Sequence, residues 1–213
     1  MSLEDLKYIA IEGVIGAGKT TLADLLAKEI GAKMILEEFE NNPFLEEFYQ
    51  DPTRYAFQTQ MFFLLNRFQQ QQKLIQADIF HQKIVSDYIF EKDRIFATLN
   101  LNEKEMKLYD GMAKIMEKEI VAPNLIIYLQ ASTKHLMENI RKRNRPFEKN
   151  ISEDYIQGLN ELYNSFFFNY KKAPLLVIKT DEIDFKESKE DFKDILVEIN
   201  HHHSGTRYYV PQK

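Results

Sequence analysis

Cysteine is absent from all 213 residues. That excludes disulfides and thiolate metal sites and suits a reducing cytosol. Also missing is any apolar run near the ~20 residues that a bilayer-spanning helix needs. The N-terminus carries no charged region followed by an apolar core, so no secretory signal is read there. Positive charge is not in excess either: a net charge of -5 leaves no general footprint for nucleic acid or an acidic membrane. No internal repeat or low-complexity linker interrupts the chain. What remains, with 44% hydrophobic and 29% charged residues, reads as one globular domain over residues 1–213 of a soluble, cytoplasmic enzyme.

The strongest local signal is "GVIGAGKTT", Gly13 to Thr21. Gly13, Gly18, Lys19 and Thr20 fit G-x-x-x-x-G-K-[ST], between an apolar strand pattern and a helical one. In such a loop, backbone N–H groups and the helix N-terminus cradle phosphates. Gly13, Val14, Ile15, Gly16, Ala17, Gly18, Lys19, Thr20 and Thr21 are therefore expected to hold ATP or GTP. Lys19 would reach the β- and γ-phosphates, and the Thr20 hydroxyl would be a ligand of Mg²⁺.

Apolar strand patterns cover 8–12, 32–38, 83–87, 125–131 and 175–180. Helical patterns cover 19–30, 54–78, 103–120, 133–143, 152–171 and 187–199. This alternation predicts an α/β fold with a parallel five-stranded sheet and helices on both faces. Ligands of such sheets sit beyond the carboxyl ends of the strands, where Glu12, Glu37, Glu38, Asp87 and Asp181 gather. "FQQQQK" (68–73) reads as the solvated face of a helix, and "FFFNYKK" (166–172) as buried packing. Phe57, Phe62, Phe63 and Phe68 read as core, with one or two free to stack on a ligand. Residues 200–213 read as a C-terminal tail, and "HHHSGT" (201–206) as a surface turn.

Asp87, at the end of a strand, reads first as the acceptor of a proton from an attacking hydroxyl, with a helix cap or a Walker-B-like ligand of Mg²⁺ as the alternative. "NIRKRNRPFEKN" (139–150) places Arg141, Arg143 and Arg145 within five positions, with a helix break at Pro146. Clustered guanidiniums suit a transferring phosphoryl group and a closing lid, about 139–152.

These residues resemble the deoxynucleoside kinase family, in its bacterial deoxyadenosine/deoxyguanosine kinase branch, from about Lys7 to about Phe192. The resemblance implies ATP as phosphate donor, a deoxynucleoside 5′-hydroxyl as acceptor, magnesium and a homodimer. "LEEFENNPFLEEFYQDP" (36–52) resembles the segment whose glutamate receives the 5′-hydroxyl, with Glu38 matching better than Glu37. Tyr49 falls on a 3′-hydroxyl contact and Glu148 on another. Gln60 and Arg67, seven residues apart on one helical face, match the readers of the nucleobase, with Asp93 and Phe96 beside them. In "SDYIFEKDRIFA" the usual arginine after the acidic residue is replaced by Tyr88, so Arg94 or the lid is expected to supply that contact. Asp87 keeps the base position, and Arg141, Arg143 and Arg145 become phosphate contacts. "TDEIDFKE" resembles the loop over the adenine of ATP, near Asp184 and Phe185. The implied acceptor is a purine deoxynucleoside: deoxyadenosine first, deoxyguanosine second, deoxycytidine third.

Two other readings compete. A nucleoside monophosphate kinase of the thymidylate kinase type would share the loop and lid, but the carboxylates of "EEFENNPFLEEF" would repel a monophosphate. A regulatory P-loop ATPase would hydrolyse its nucleotide with no acceptor.

Overall fold

The computed structural model describes residues 3, 5–76, 83–202 and 204–211, with the side chains of 74–76 left out. The chain begins with β1 (Tyr8–Gly13), the phosphate loop, α1 (Lys19–Ile30) and β2 (Lys33–Ile35). There follow α2 (Leu45–Gln50), α3 (Pro52–Gln76), β3 (Ile84–Ser86), α4 (Lys92–Asn100) and α5 (Glu103–Met116). The second half runs β4 (Leu125–Gln130), α6 (Thr133–Arg143), α7 (Glu153–Phe168), β5 (Leu175–Lys179), α8 (Lys189–His201) and β6 (Thr206–Tyr209). All strand pairs are parallel, in the order β2-β3-β1-β4-β5-β6. The sheet thus has six strands rather than the expected five. β6 escaped notice because its "TRYY" lies at the sheet edge, largely exposed, and forms no apolar run.

The central strands are apolar nearly throughout because both their faces are covered; β1 and β4 bury every residue but Gln130. Helix starts follow side-chain caps: Ser132 for α6, Ser152 for α7, Ser188 for α8, and an Asn102–Glu105 capping box for α5. A second apolar cluster of Leu64, Phe90, Ala97, Tyr109 and Ala113 joins α3, α4 and α5. The glutamine run departs from expectation: Gln70 and Gln71 are buried, donating to the Leu36 carbonyl and the Tyr8 hydroxyl. Phe167 and Tyr170 are buried as expected, whereas Phe168 is exposed. The helix expected to 78 is described only to Gln76, and His203 of the histidine run also lies outside the described residues. His201 ends α8, and the bend at Ser204–Gly205 leads into β6 rather than into a tail.

Between β1 and α1, Gly16 takes φ +90°, and a Cβ there would stand 2.6 Å from the Leu136 carbonyl oxygen of α6. Asn139 of the same helix donates to the Gly16 carbonyl at 2.9 Å, pinning the loop. Gly16→Ala should destabilise the fold by about 2 kcal/mol through left-handed strain and the clash, lowering Tm by roughly 4–8 °C. An unchanged melting curve would show that the loop yields at this point.

Candidate active site

The ends of β1, β2 and β3 meet the first turns of α1 and α4, and two cavities open there. On the loop side, Lys19 folds back so that its Nζ donates to the carbonyls of Gly13 (2.8 Å) and Val14 (3.1 Å). Burial, and then the nearby charge of Lys92, lowers its ammonium to about 8. Thr20 Oγ1 donates to Asp87 Oδ2 at 2.6 Å, while Asp87 Oδ1 accepts the Glu37 N–H at 2.8 Å. Asp87 thus faces the threonine of the phosphate loop. Below it lies Glu12, fully buried, whose two carboxylate oxygens accept the Gly13 and Ile89 N–H groups. Burial raises its pKa against the pull of Lys92 and Lys19. One carboxylate therefore ties the phosphate loop to the segment that carries Asp87.

The wider, open cleft is lined by loop residues 16–21, by His135, Asn139 and Lys142 of α6, by Arg143 and Arg145, and by 180–187. Asp184 and Phe185 belong to its lining, and a Cβ on Gly18 would stand 3.0 Å from the Phe185 ring. Arg141 does not line it. Residues 135, 139 and 142 share one helical face, and Arg141 turns to solvent.

The second cavity holds about 760 Å³ of empty space, its mouth included. Its wall includes Lys19, Thr20 and Asp87 from the loop side, then Glu37, Tyr49, Gln60, Arg67, Lys92, Phe96 and Glu148. At its centre is Glu37. Oε1 accepts from both Nε (3.0 Å) and Nη2 of Arg67, and Oε2 accepts from Lys92 Nζ. Burial by itself would raise the Glu37 carboxyl, but Lys92 and Arg67 outweigh it and hold the pKa well below the usual range. Glu38 does not face this cavity; it is exposed and accepts from Asn41 at 2.9 Å. Consecutive residues of an extended segment face opposite ways, and the Asp87 bond to the Glu37 N–H turns Glu37 inward.

Arg67 also pairs with Asp93, which is fully buried behind it and does not reach the cavity. Gln60 does, with its Oε1 buried and without a protein partner. Phe63, Phe96, Phe39 and Phe147 are among its aromatic lining residues, with Phe48, Tyr49 and Tyr155. Glu148, buried, takes Arg143 on both oxygens and has Arg145 Nη1 at 3.7 Å; the Arg145 guanidinium lies over the Phe39 ring.

Tyr88 and Arg94 stand elsewhere. Tyr88 is buried outside the cavity lining, and Arg94 pairs with Asp110 at 3.2 Å on the outer side of α4. The inward cation is Lys92, which sequence reasoning passed over. A lysine at the start of a helix has no pattern to distinguish it from an exposed one. The sequence marks Glu12 as a strand end, and its place within an otherwise apolar strand is the signal of its burial.

The arrangement can cradle phosphates, offer oxygen ligands to a cation at Thr20 and Asp87, and hold a hydroxyl at Glu37. The family model "Deoxynucleoside kinase" matches residues 9–204. Among similar proteins, a deoxyguanosine kinase of Bacillus subtilis is 37% identical, covering 90% of this chain and 95% of its own. A deoxyadenosine kinase of Dictyostelium discoideum is 39% identical, covering 82% and 73%. The structure of deoxyadenosine kinase from M. mycoides with bound dATP superposes with a TM-score of 0.80 at 28% identity, covering 91% of this chain and 99% of that one. With its P-loop kinase sheet and the match over nearly its whole length, the chain belongs to the deoxynucleoside kinase family and is an ATP-dependent phosphotransferase.

Proposed function

We propose that the chain transfers the γ-phosphoryl group of ATP to the 5′-hydroxyl of a deoxynucleoside, a purine one by preference. One observation carries the reading: Glu37 lines the same cavity as Lys19 and Thr20 of the phosphate loop, so a hydroxyl on the carboxylate faces the end of a triphosphate. Lys19 meets the β- and γ-phosphates, while Asp184 and Phe185 cover the nucleotide's base. Thr20 and Asp87, hard oxygen donors 2.6 Å apart, would hold Mg²⁺, which would supply positive charge to the phosphates. Among the described residues no cluster of three His, Cys, Asp or Glu makes a metal cage, which suits an ion shared with phosphates.

Glu37 orients the acceptor hydroxyl and takes its proton as the new O–P bond forms; Asp87, engaged by Thr20, serves the metal side. Arg143 and Arg145 meet the charge of the transferring group. Tyr49 and Glu148 face the sugar. Gln60 pairs with the base edge, held between Phe63 and Phe96, while Asp93 keeps Arg67 in place from behind. The purine preference is supported by Gln60, whose free acceptor suits an amino-bearing edge, and by relatives named as deoxyguanosine and deoxyadenosine kinases. A thymine methyl group against Gln60 would leave it unpaired, at ~1–3 kcal/mol. Cytoplasmic placement is supported by the lack of cysteine; no helix among the described residues is long and apolar enough to cross a membrane. A homodimer is supported by Leu108, Met112 and Ile115, an exposed apolar stripe on α5, with Leu65 of α3 exposed as well.

With ATP and Mg²⁺, kcat/KM should be highest for deoxyadenosine or deoxyguanosine. Thymidine as best acceptor, or phosphorylation of monophosphates alone, would overturn the proposal. Glu37→Gln should lower kcat by about 10²-fold or more while Glu38→Gln stays within a few-fold; the reverse order would return the role to Glu38. Triphosphate oxyanions restore the Lys19 proton, so nucleotide binding at pH 8 should take up about half a proton. Calorimetry in buffers of different ionisation enthalpy measures this, and buffer-independent heats would contradict it.

A further inference from the structure

Lys92 is left without a part in that scheme, yet it is buried inside the cavity on the first turn of α4. Burial and the helix dipole both disfavour a cation there. Holding Glu37 in place does not account for it, because Arg67 already grips Oε1 with two nitrogens. Lys92 instead occupies Oε2, the oxygen that an acceptor hydroxyl would need. Its ammonium also stands 5.7 Å from the Phe96 ring and near the buried Glu12; with Glu37 engaging one donor, it keeps others for a further acceptor. It also stands close enough to Lys19 to be the foremost charge depressing that residue. Lys19 and Lys92 both line this cavity, with Glu12, Glu37 and Asp87 as the carboxylates near them, so an anion entering there would meet donors from both ammoniums. Of the nearby cations, Arg67 is held by Glu37 and Asp93 and Arg94 by Asp110, while Arg143 and Arg145 stand at Glu148.

We propose that Lys92 is a catalytic cation of the transfer, leaving Glu37 Oε2 to the acceptor hydroxyl and turning to the transferring phosphoryl oxygens. The inference rests on the kinase reading above. The hydroxyl proton passes to Glu37, the O5′–Pγ bond forms, and the bond from Pγ to the bridging oxygen breaks, its electron pair leaving on ADP. Lys92 stays protonated throughout.

The test compares Lys92→Met, Lys92→Gln and Lys92→Arg with the unaltered enzyme, each checked by thermal melting. Lys92→Met should lower kcat by about 10²-fold, as loss of one transition-state donor does. Deoxynucleoside affinity, measured by calorimetry without ATP, should hold or tighten because Oε2 is freed. Lys92→Arg should recover at least about tenfold of the lost rate. Lys92→Gln, which keeps a donor on Glu37 without the charge, should match Lys92→Met and serves if that variant does not fold. A kcat near the unaltered value in Lys92→Gln, or a loss confined to deoxynucleoside affinity, would overturn the proposal. An unaltered enzyme inactive on every deoxynucleoside would instead overturn the kinase reading itself.

Discussion

A single half-buried carboxylate, Glu37, fastens the parts of this site to one another. Its side chain joins α3 through Arg67 and α4 through Lys92, while its own N–H goes to Asp87 after β3. Asp87 in turn holds Thr20 at the start of α1. Two strand ends, three helices and the phosphate loop therefore share one polar network. Such a network is stable only as a whole, since removing one partner of a buried ion pair strands the other at a cost of ~3–5 kcal/mol. Glu12 adds a second tie at greater depth, between Gly13 and Ile89. The loops after β1, β2 and β3 are not independent pieces; they keep one another's geometry.

The distribution of charge follows from the same constraint. The chain is acidic in total, yet Lys19, Arg67, Lys92, Lys142, Arg143 and Arg145 all line the two cavities. Neutralising carboxylates stand behind or between them, so the cavities attract phosphate without leaving isolated buried cations. Net charge reports on the outer surface and hides this local inversion.

Much of the framework was legible in the sequence because it follows from periodicity and spacing. Five strands and the phosphate loop announce themselves by apolar runs and a glycine-lysine-threonine pattern. The boundaries of α1 and α6 match because their signals are local: the loop before α1, and the Ser132 cap and Asn144 end of α6. What stayed hidden depends on contacts between distant segments. Alternation says that one of Glu37 and Glu38 faces inward, but only the bond from Glu37 N–H to Asp87, fifty residues on, says which. Arg141 and Arg143 look alike in a basic run, and the helix face separates them. Gln70 and Gln71 read as solvated until the Leu36 carbonyl and the Tyr8 hydroxyl are seen to receive them.

Glu148 has a consequence beyond its own contacts. It lines the cavity around Glu37, yet it is also the ion-pair partner of Arg143, and Arg143 and Arg145 line both cavities. A molecule that engages Glu148 changes the free energy of drawing those arginines away, and an anion that draws them away changes what Glu148 can offer in return. Thermodynamic reciprocity requires the two effects to be equal in size. The two halves of the site are thus linked equilibria, with an ion pair as the coupling.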